Sequence, residues 1–173
     1  MLLAELLAKR KKNILDRCMN LLLDTYPRDS VTLLGDQQDP FVNPVGSTFR
    51  QAFEAIVDGL VASTNVESLF PAVDAIVRIR AVQEFRPSEA LVFGTHLKKA
   101  IREEVQEQKL DEQALHDLTG LESRIDELTL VSFDVYVACR EKITEIRVGE
   151  ARAERDRLVR LMQAMTRMGG KSK

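Results

Sequence analysis

Leu121-Glu122-Ser123-Arg124-Ile125-Asp126-Glu127-Leu128-Thr129-Leu130-Val131-Ser132-Phe133-Asp134-Val135-Tyr136-Val137-Ala138-Cys139 is the stretch whose period decides the fold class. At 100° per residue, Leu121, Ile125, Leu128, Val131, Val135 and Cys139 line one stripe of a helix, and Ile146 extends it. The valines sit at helical spacing without period-two alternation, so nothing here reads as strand. Leu130, Phe133 and Val137 fall roughly on the opposite side. A helix apolar on both sides has two surfaces to cover. One solution is a central core helix; the other offers the second face to a partner.

The tail favours the partner. Counting sevens from Leu130 and Val137 reaches Thr144, Ala151, Leu158 and Met165; counting from Phe133 reaches Arg140, Arg147, Glu154, Leu161 and Met168. This heptad frame is apolar at its two ends and polar in the middle. The reading is a homodimer, or a scaffold for another protein, with Leu130, Phe133, Val137, Leu158, Leu161 and Met165 on the contact face. Gly149 weakens helix continuity by about 1 kcal/mol relative to alanine and marks a candidate bend.

Upstream, Val73 to Ala100 reads as two apolar helices separated by a hard stop, Phe85-Arg86-Pro87-Ser88. The first carries two arginines: Arg78 and Arg80 point about 200° apart. Asp74 lies four residues before Arg78 and Glu84 four after Arg80, so each pair shares a helix face. Ala72, Ala75, Ile76, Ile79 and Val82 form the expected apolar face. The arginines are assigned to holding the core through these carboxylates, with a ligand anion as the functional alternative. If either is buried and paired, Arg→Ala should cost roughly 3–5 kcal/mol.

The other elements follow from periodicity and breakers. A first helix spans about Leu2 to Asp24, with Leu3, Leu6, Leu7, Ile14, Cys18, Leu21 and Leu22 inward, and Tyr26-Pro27-Arg28-Asp29 ends it. A short turn around Val31–Leu34 and a loop over Gly35–Val42 come next. Asn43-Pro44 starts a helix carrying Phe49, Phe53, Ile56, Val57 and Leu60 that frays near Ser63-Thr64-Asn65. Pro71 opens the arginine helix. After Pro87 a helix to about Gln108 places Ala90, Phe93, Leu97, Ile101 and Val105 on one face. Asp111 caps the next, with a restart or bend at Thr119-Gly120-Leu121-Glu122.

The chain has 173 residues, 45% hydrophobic and 30% charged, with a net charge of −2. That length fits one domain burying about 70% of its unfolded surface. No global field selects nucleic acid or an anionic membrane. Cys18 and Cys139 lack any CxxC companion and read as reduced thiols of a cytoplasmic chain. The apolar start carries its basic run, Lys9-Arg10-Lys11-Lys12, after the apolar residues, opposite to a signal peptide. No apolar run approaches the roughly 20 residues of a membrane span.

Catalytic patterns are missing from this reading. Gly169-Gly170-Lys171-Ser172 lacks the first glycine and the following helix of a phosphate loop. His96 and His116 stand twenty positions apart, outside metal-site spacing. His96 borders the face of Phe93, Leu97 and Ala100. It reads as a boundary histidine bonded to a neighbouring carbonyl or carboxylate, with haem ligation as the alternative. Glu103-Glu104 and Asp126-Glu127 read as solvated, as do the basic residues Arg152, Arg155, Arg157 and Arg160. No catalytic residue, metal ligand or cofactor is assigned.

Ile76-Val77-Arg78-Ile79-Arg80-Ala81-Val82-Gln83 and Phe85-Arg86-Pro87-Ser88-Glu89-Ala90 resemble the helical N-terminal domain of RsbRD-type proteins, the co-antagonists of stressosome and partner-switching signalling. Asp24-Thr25-Tyr26-Pro27, Phe41-Val42-Asn43-Pro44-Val45-Gly46, Lys98-Lys99-Ala100-Ile101-Arg102-Glu103-Glu104 and Tyr136-Val137-Ala138-Cys139-Arg140-Glu141-Lys142-Ile143 extend the resemblance to about Arg147. It implies an all-α, globin-like, non-haem sensor domain, often dimeric. In such proteins a helical linker leads to a STAS domain; this sequence ends after its tail helix, which implies a stand-alone sensor or adaptor. The expected division is a helical domain over 1–148, a helical extension over 149–168 and a disordered tail over 169–173.

Overall fold

The structure, a computed structural model, describes residues 2–27, 43–106, 108 and 111–169. Those residues form six α-helices and one 3₁₀ turn, with no strand among them. The chain is all-α, as the periodicity predicts. The expected turn at Val31–Leu34, the loop at Gly35–Val42 and the tail from Gly170 lie outside the described residues.

Helix α1 (Leu3–Leu23) starts where the Leu2 N–H donates to Glu5 Oε2, satisfying one otherwise orphaned donor. It buries Leu3, Leu6, Leu7, Ile14, Cys18 and Leu22, whereas Leu21 is only half-buried. Helix α2 (Pro44–Val61) is capped by Asn43, whose Oδ1 accepts from the Gly46 N–H at 2.8 Å. The expected row Phe49, Phe53, Ile56, Val57 and Leu60 is buried throughout. After the 3₁₀ turn Val66–Leu69 come α3 (Phe70–Val82), the single turn α4 (Pro87–Ala90) and α5 (Phe93–Gln106). Ala90, Phe93, Leu97, Ile101 and Val105 are all buried, although Leu91 and Val92 break the helix expected to be continuous there.

Helix α6 (Glu112–Gly169) is 58 residues long. Asp111 Oδ1 caps it by accepting from the Ala114 N–H at 2.8 Å. It runs unbroken through Gly120 and Gly149, the two expected bends. Both glycines are exposed, and the good helix formers around them outweigh a penalty of about 1 kcal/mol each.

The two most extensive pairings are between helices distant in sequence, α1 with α5 and α3 with α6; α1 also rests on α2, α2 on α3, and α5 on α6. The α5–α6 approach is close at Gly94, where a Cβ would meet Thr129 Oγ1. The α1–α5 seam encloses Glu104, 2% exposed, which accepts from Arg17 Nε at 2.7 Å and Asn13 Nδ2 at 3.2 Å. Glu104 therefore departs from the solvated face expected of it, because Arg17 and the more distant Arg10 of α1 supply its counter-charge and Asn13 a further hydrogen bond.

Leu121, Ile125, Leu128, Val135 and Cys139 of α6 are buried, Val131 is half-buried, and Ile146 is exposed because the body ends before it. Leu130 and Phe133, opposite, remain 71% and 48% exposed. The central-core-helix solution is thus excluded for the described residues: α6 covers the body with one face only.

Candidate functional site

Arg78 and Arg80 have different surroundings. Arg78 lies on the surface and donates to Asp74 Oδ2 at 2.7 Å, the expected i,i+4 pair. Arg80 is wholly buried, 0% exposed. The buried row of α3 is Val73, Ile76, Val77, Arg80 and Ala81, rotated from the face expected, and Val82 is 64% exposed. A sequence reading rejects a stripe containing arginine because guanidinium groups are rarely fully enclosed. Here the stripe is real and the arginine is part of it.

Two aromatic rings make that burial possible. The guanidinium carbon lies 4.0 Å from the centre of the Phe85 ring and 5.3 Å from that of Tyr26. Arg80 Nη2 donates to Thr25 Oγ1 at 3.0 Å and to the Glu89 carbonyl at 2.8 Å. Nε and Nη1 are buried without a hydrogen-bond partner. Burial pulls this guanidinium below its ordinary value, with Tyr26 and Glu89 opposing; it stays charged, since arginine does not deprotonate in proteins.

Glu84 does not pair with Arg80. Helix α3 ends at Val82, and Glu84 takes a left-handed backbone, φ 64°, so the i,i+4 relation lapses. Its carboxylate pairs instead with Arg147 of α6, which holds it below the usual carboxylate range. Glu89 is held in the same way by Arg86 at 2.6 Å.

Around this linker α6 makes three attachments. Tyr136 donates its hydroxyl to the Phe85 carbonyl at 2.6 Å, Arg140 donates to the Ala81 carbonyl at 3.1 Å, and Arg147 meets Glu84. Arg140 thus supplies a donor to a carbonyl of the last turn of α3, and Tyr136 one to a carbonyl of the linker beyond it. Farther up, Arg124 does the same for α2, donating to the Leu60 carbonyl at 3.0 Å and to that of Thr64. The segment carrying Phe85 is thereby joined to both the buried Arg80 and the long helix. Sequence reasoning missed Thr25, Tyr26, Phe85 and Tyr136 as a group. The available signal was an aromatic residue just beyond each of two helix ends.

His96 is half-buried on α5, and its Nδ1 is enclosed without a partner, in contrast to the bonded histidine expected. Desolvation, then Arg80 and Lys99, push its pKa down. Among the described residues no group of three or more His, Cys, Asp or Glu side chains is placed to hold a metal ion.

The residues assigned to a partner face lie along α6. Val137 is 37% exposed and lines a groove of about 940 Å³ with Tyr136, Thr144 and Val148. Leu158, Leu161 and Met165 are exposed, as is every side chain over 151–167. Arg140 and Arg147, which the heptad frame sets on the same seam, reach back to their own body. A straight helix drifts about 20° per heptad, so one seam divides into an upper and a lower apolar patch. Exposed Phe70, overlooked in the sequence, lines a separate hollow with Val66, Pro71 and the half-buried Val131 of the body-facing stripe.

Among the described residues, no helix is long and apolar enough to cross a membrane. No solved structure matches the chain. An uncharacterized protein of Archaeoglobus fulgidus is 26% identical over 160 residues, covering 91% of this chain and 95% of that relative. The family profile of the RsbT co-antagonist protein rsbRD N-terminal domain matches residues 12–151, the span that includes the buried arginine, the Phe85 linker and the part of α6 that grips it. The chain belongs to that family of regulatory domains.

Proposed function

We propose that this domain is a non-enzymatic sensory and regulatory module of the stressosome or partner-switching type, acting through protein–protein contact, with two copies pairing along α6. Family membership supports the regulatory class. The observation that carries the pairing is the uncovered apolar face of Leu130, Phe133 and Val137, repeated in the tail by Leu158, Leu161 and Met165.

The energy scale suits a reversible dimer. A half-exposed apolar side chain gains about 1 kcal/mol when covered. Over both protomers the face gains on the order of 10 kcal/mol, comparable with an association cost of roughly 4–15 kcal/mol. Pairing should therefore depend on concentration.

Sedimentation equilibrium tests this. The full chain should shift from monomer to dimer with loading concentration. Phe133→Glu combined with Leu130→Glu should hold it monomeric while leaving far-UV circular dichroism unchanged. A monomer at every concentration, or a dimer indifferent to both substitutions, would remove the pairing along this face.

A further inference from the structure

The exposed side chains of α6 carry opposite charge toward its two ends. Over 126–147 five exposed carboxylates stand against two exposed bases, a net charge of −3; over 150–167 five arginines stand against three carboxylates, a net charge of +2. Each of these stretches also carries one of the two apolar patches, Leu130, Phe133 and Val137 above, Leu158, Leu161 and Met165 below. Because α6 is one unbroken helix, the lower patch cannot fold back onto the upper patch of its own chain. A second copy can bring the two together. Laid parallel, two copies would set acidic stretch on acidic stretch. Within the heptad seam Arg140, Arg147 and Glu154 would each stand at the level of its own counterpart. One favourable match, Glu150 with Arg155, does not offset three like-charged layers.

We infer that the two copies run antiparallel along α6, crossing near Gly149, so that the basic tail of each lies on the acidic upper face of the other. This direction rests on the pairing proposed above. With that crossing, Phe133 meets the partner's Met165 and Val137 meets the partner's Leu161, while Glu141 flanks the partner's Arg155. Exposed Val148 meets its own counterpart at the centre. Among the facing positions Glu150 alone meets like charge, beside the axis. Tyr136 and Arg140, which hold the Phe85 linker and the end of α3, then border the partner's Leu158 and Leu161. The tail of one copy is thereby placed to act on the linker of the other.

A nitroxide on Gln163→Cys, an exposed position off the seam, reads the direction by pulsed electron paramagnetic resonance on the full chain. Cys18 and Cys139 are buried, and intact mass checks for one label per chain. In antiparallel copies the two labels should stand about 42 Å apart along the axis, 28 residues at about 1.5 Å each. Parallel copies would hold them at one level, within about 25 Å, roughly two helix diameters. Glu141→Arg and Arg155→Glu should each weaken dimerisation about fivefold or more in sedimentation, and the double variant should recover it to within about twofold. A label distance under about 25 Å in the dimer, or no recovery in the double variant, would overturn the direction while the pairing stands. A chain that stays monomeric at every concentration would instead remove pairing and direction together.

Discussion

Replacing Arg80 by methionine and by alanine separates charge from volume at the centre of the fold. A buried ion pair that loses one member typically costs 3–5 kcal/mol, because the other charge is left enclosed. Arg80 has no such partner; its Nη2 bonds only a hydroxyl and a carbonyl. On the debit side, the desolvation of its charge costs several kcal/mol. On the credit side stand hydrogen bonds from a charged donor, each worth about 1.5–3 kcal/mol, and a desolvated cation–π contact worth about 2 kcal/mol. The two sides nearly cancel. Arg80→Met, which keeps most of the packing against Tyr26 and Phe85, should therefore change stability by no more than about 1 kcal/mol in either direction. Arg80→Ala opens a cavity, and the gap between the two variants should be about 2–5 kcal/mol, as for Met→Ala in a core. Urea denaturation followed by far-UV circular dichroism, at one fixed protein concentration, measures both. A loss above about 3 kcal/mol in both variants would refute the reasoning, since it would mean that the charge itself holds the fold.

Three further outcomes follow from single groups. Tyr136→Phe removes the donor to the half-buried Phe85 carbonyl and should cost about 0.5–1.5 kcal/mol in urea denaturation, the net worth of a typical hydrogen bond. His96, held below its ordinary value by burial, takes up a proton later than the unfolded chain does as pH falls. Its contribution is thus complete above about pH 6.5 and declines below that toward the folded pKa; His96→Gln should flatten this limb of the pH–stability curve. Burial pushes the Cys18 thiol up to about 12, so iodoacetamide at mildly alkaline pH should label it only after unfolding, as read by peptide mass spectrometry.

Helix positions were legible wherever the apolar period met a strong stop. Asn43-Pro44, Pro71, Asp111 and the Phe85–Ser88 break each mark a boundary within a residue or a few of the one observed. Faces were less legible where a charge enters the core. On α3 the true buried row runs through Arg80, and a pattern that sorts residues by polarity shifts to Ile79 and Val82 instead. Glu84 shows a second limit. Its four-residue spacing from Arg80 has meaning only while the helix lasts, and its positive φ sends the carboxylate to a residue 63 positions away. Glu104 is the converse, a carboxylate in a charged run that becomes internal because α1 brings it basic partners. These are tertiary facts, invisible to any local count.

The free length of α6 has a consequence for how order is distributed. Over 151–167 it touches no other helix closely enough to bury a side chain. An unsupported segment of that length is marginal in water, since nothing offsets the entropy of fixing its backbone. Its amides should exchange with solvent orders of magnitude faster than those between Leu121 and Cys139. Whatever settles on the tail will therefore stiffen it, and that stiffening will propagate along one unbroken backbone to the residues that clasp the Phe85 linker.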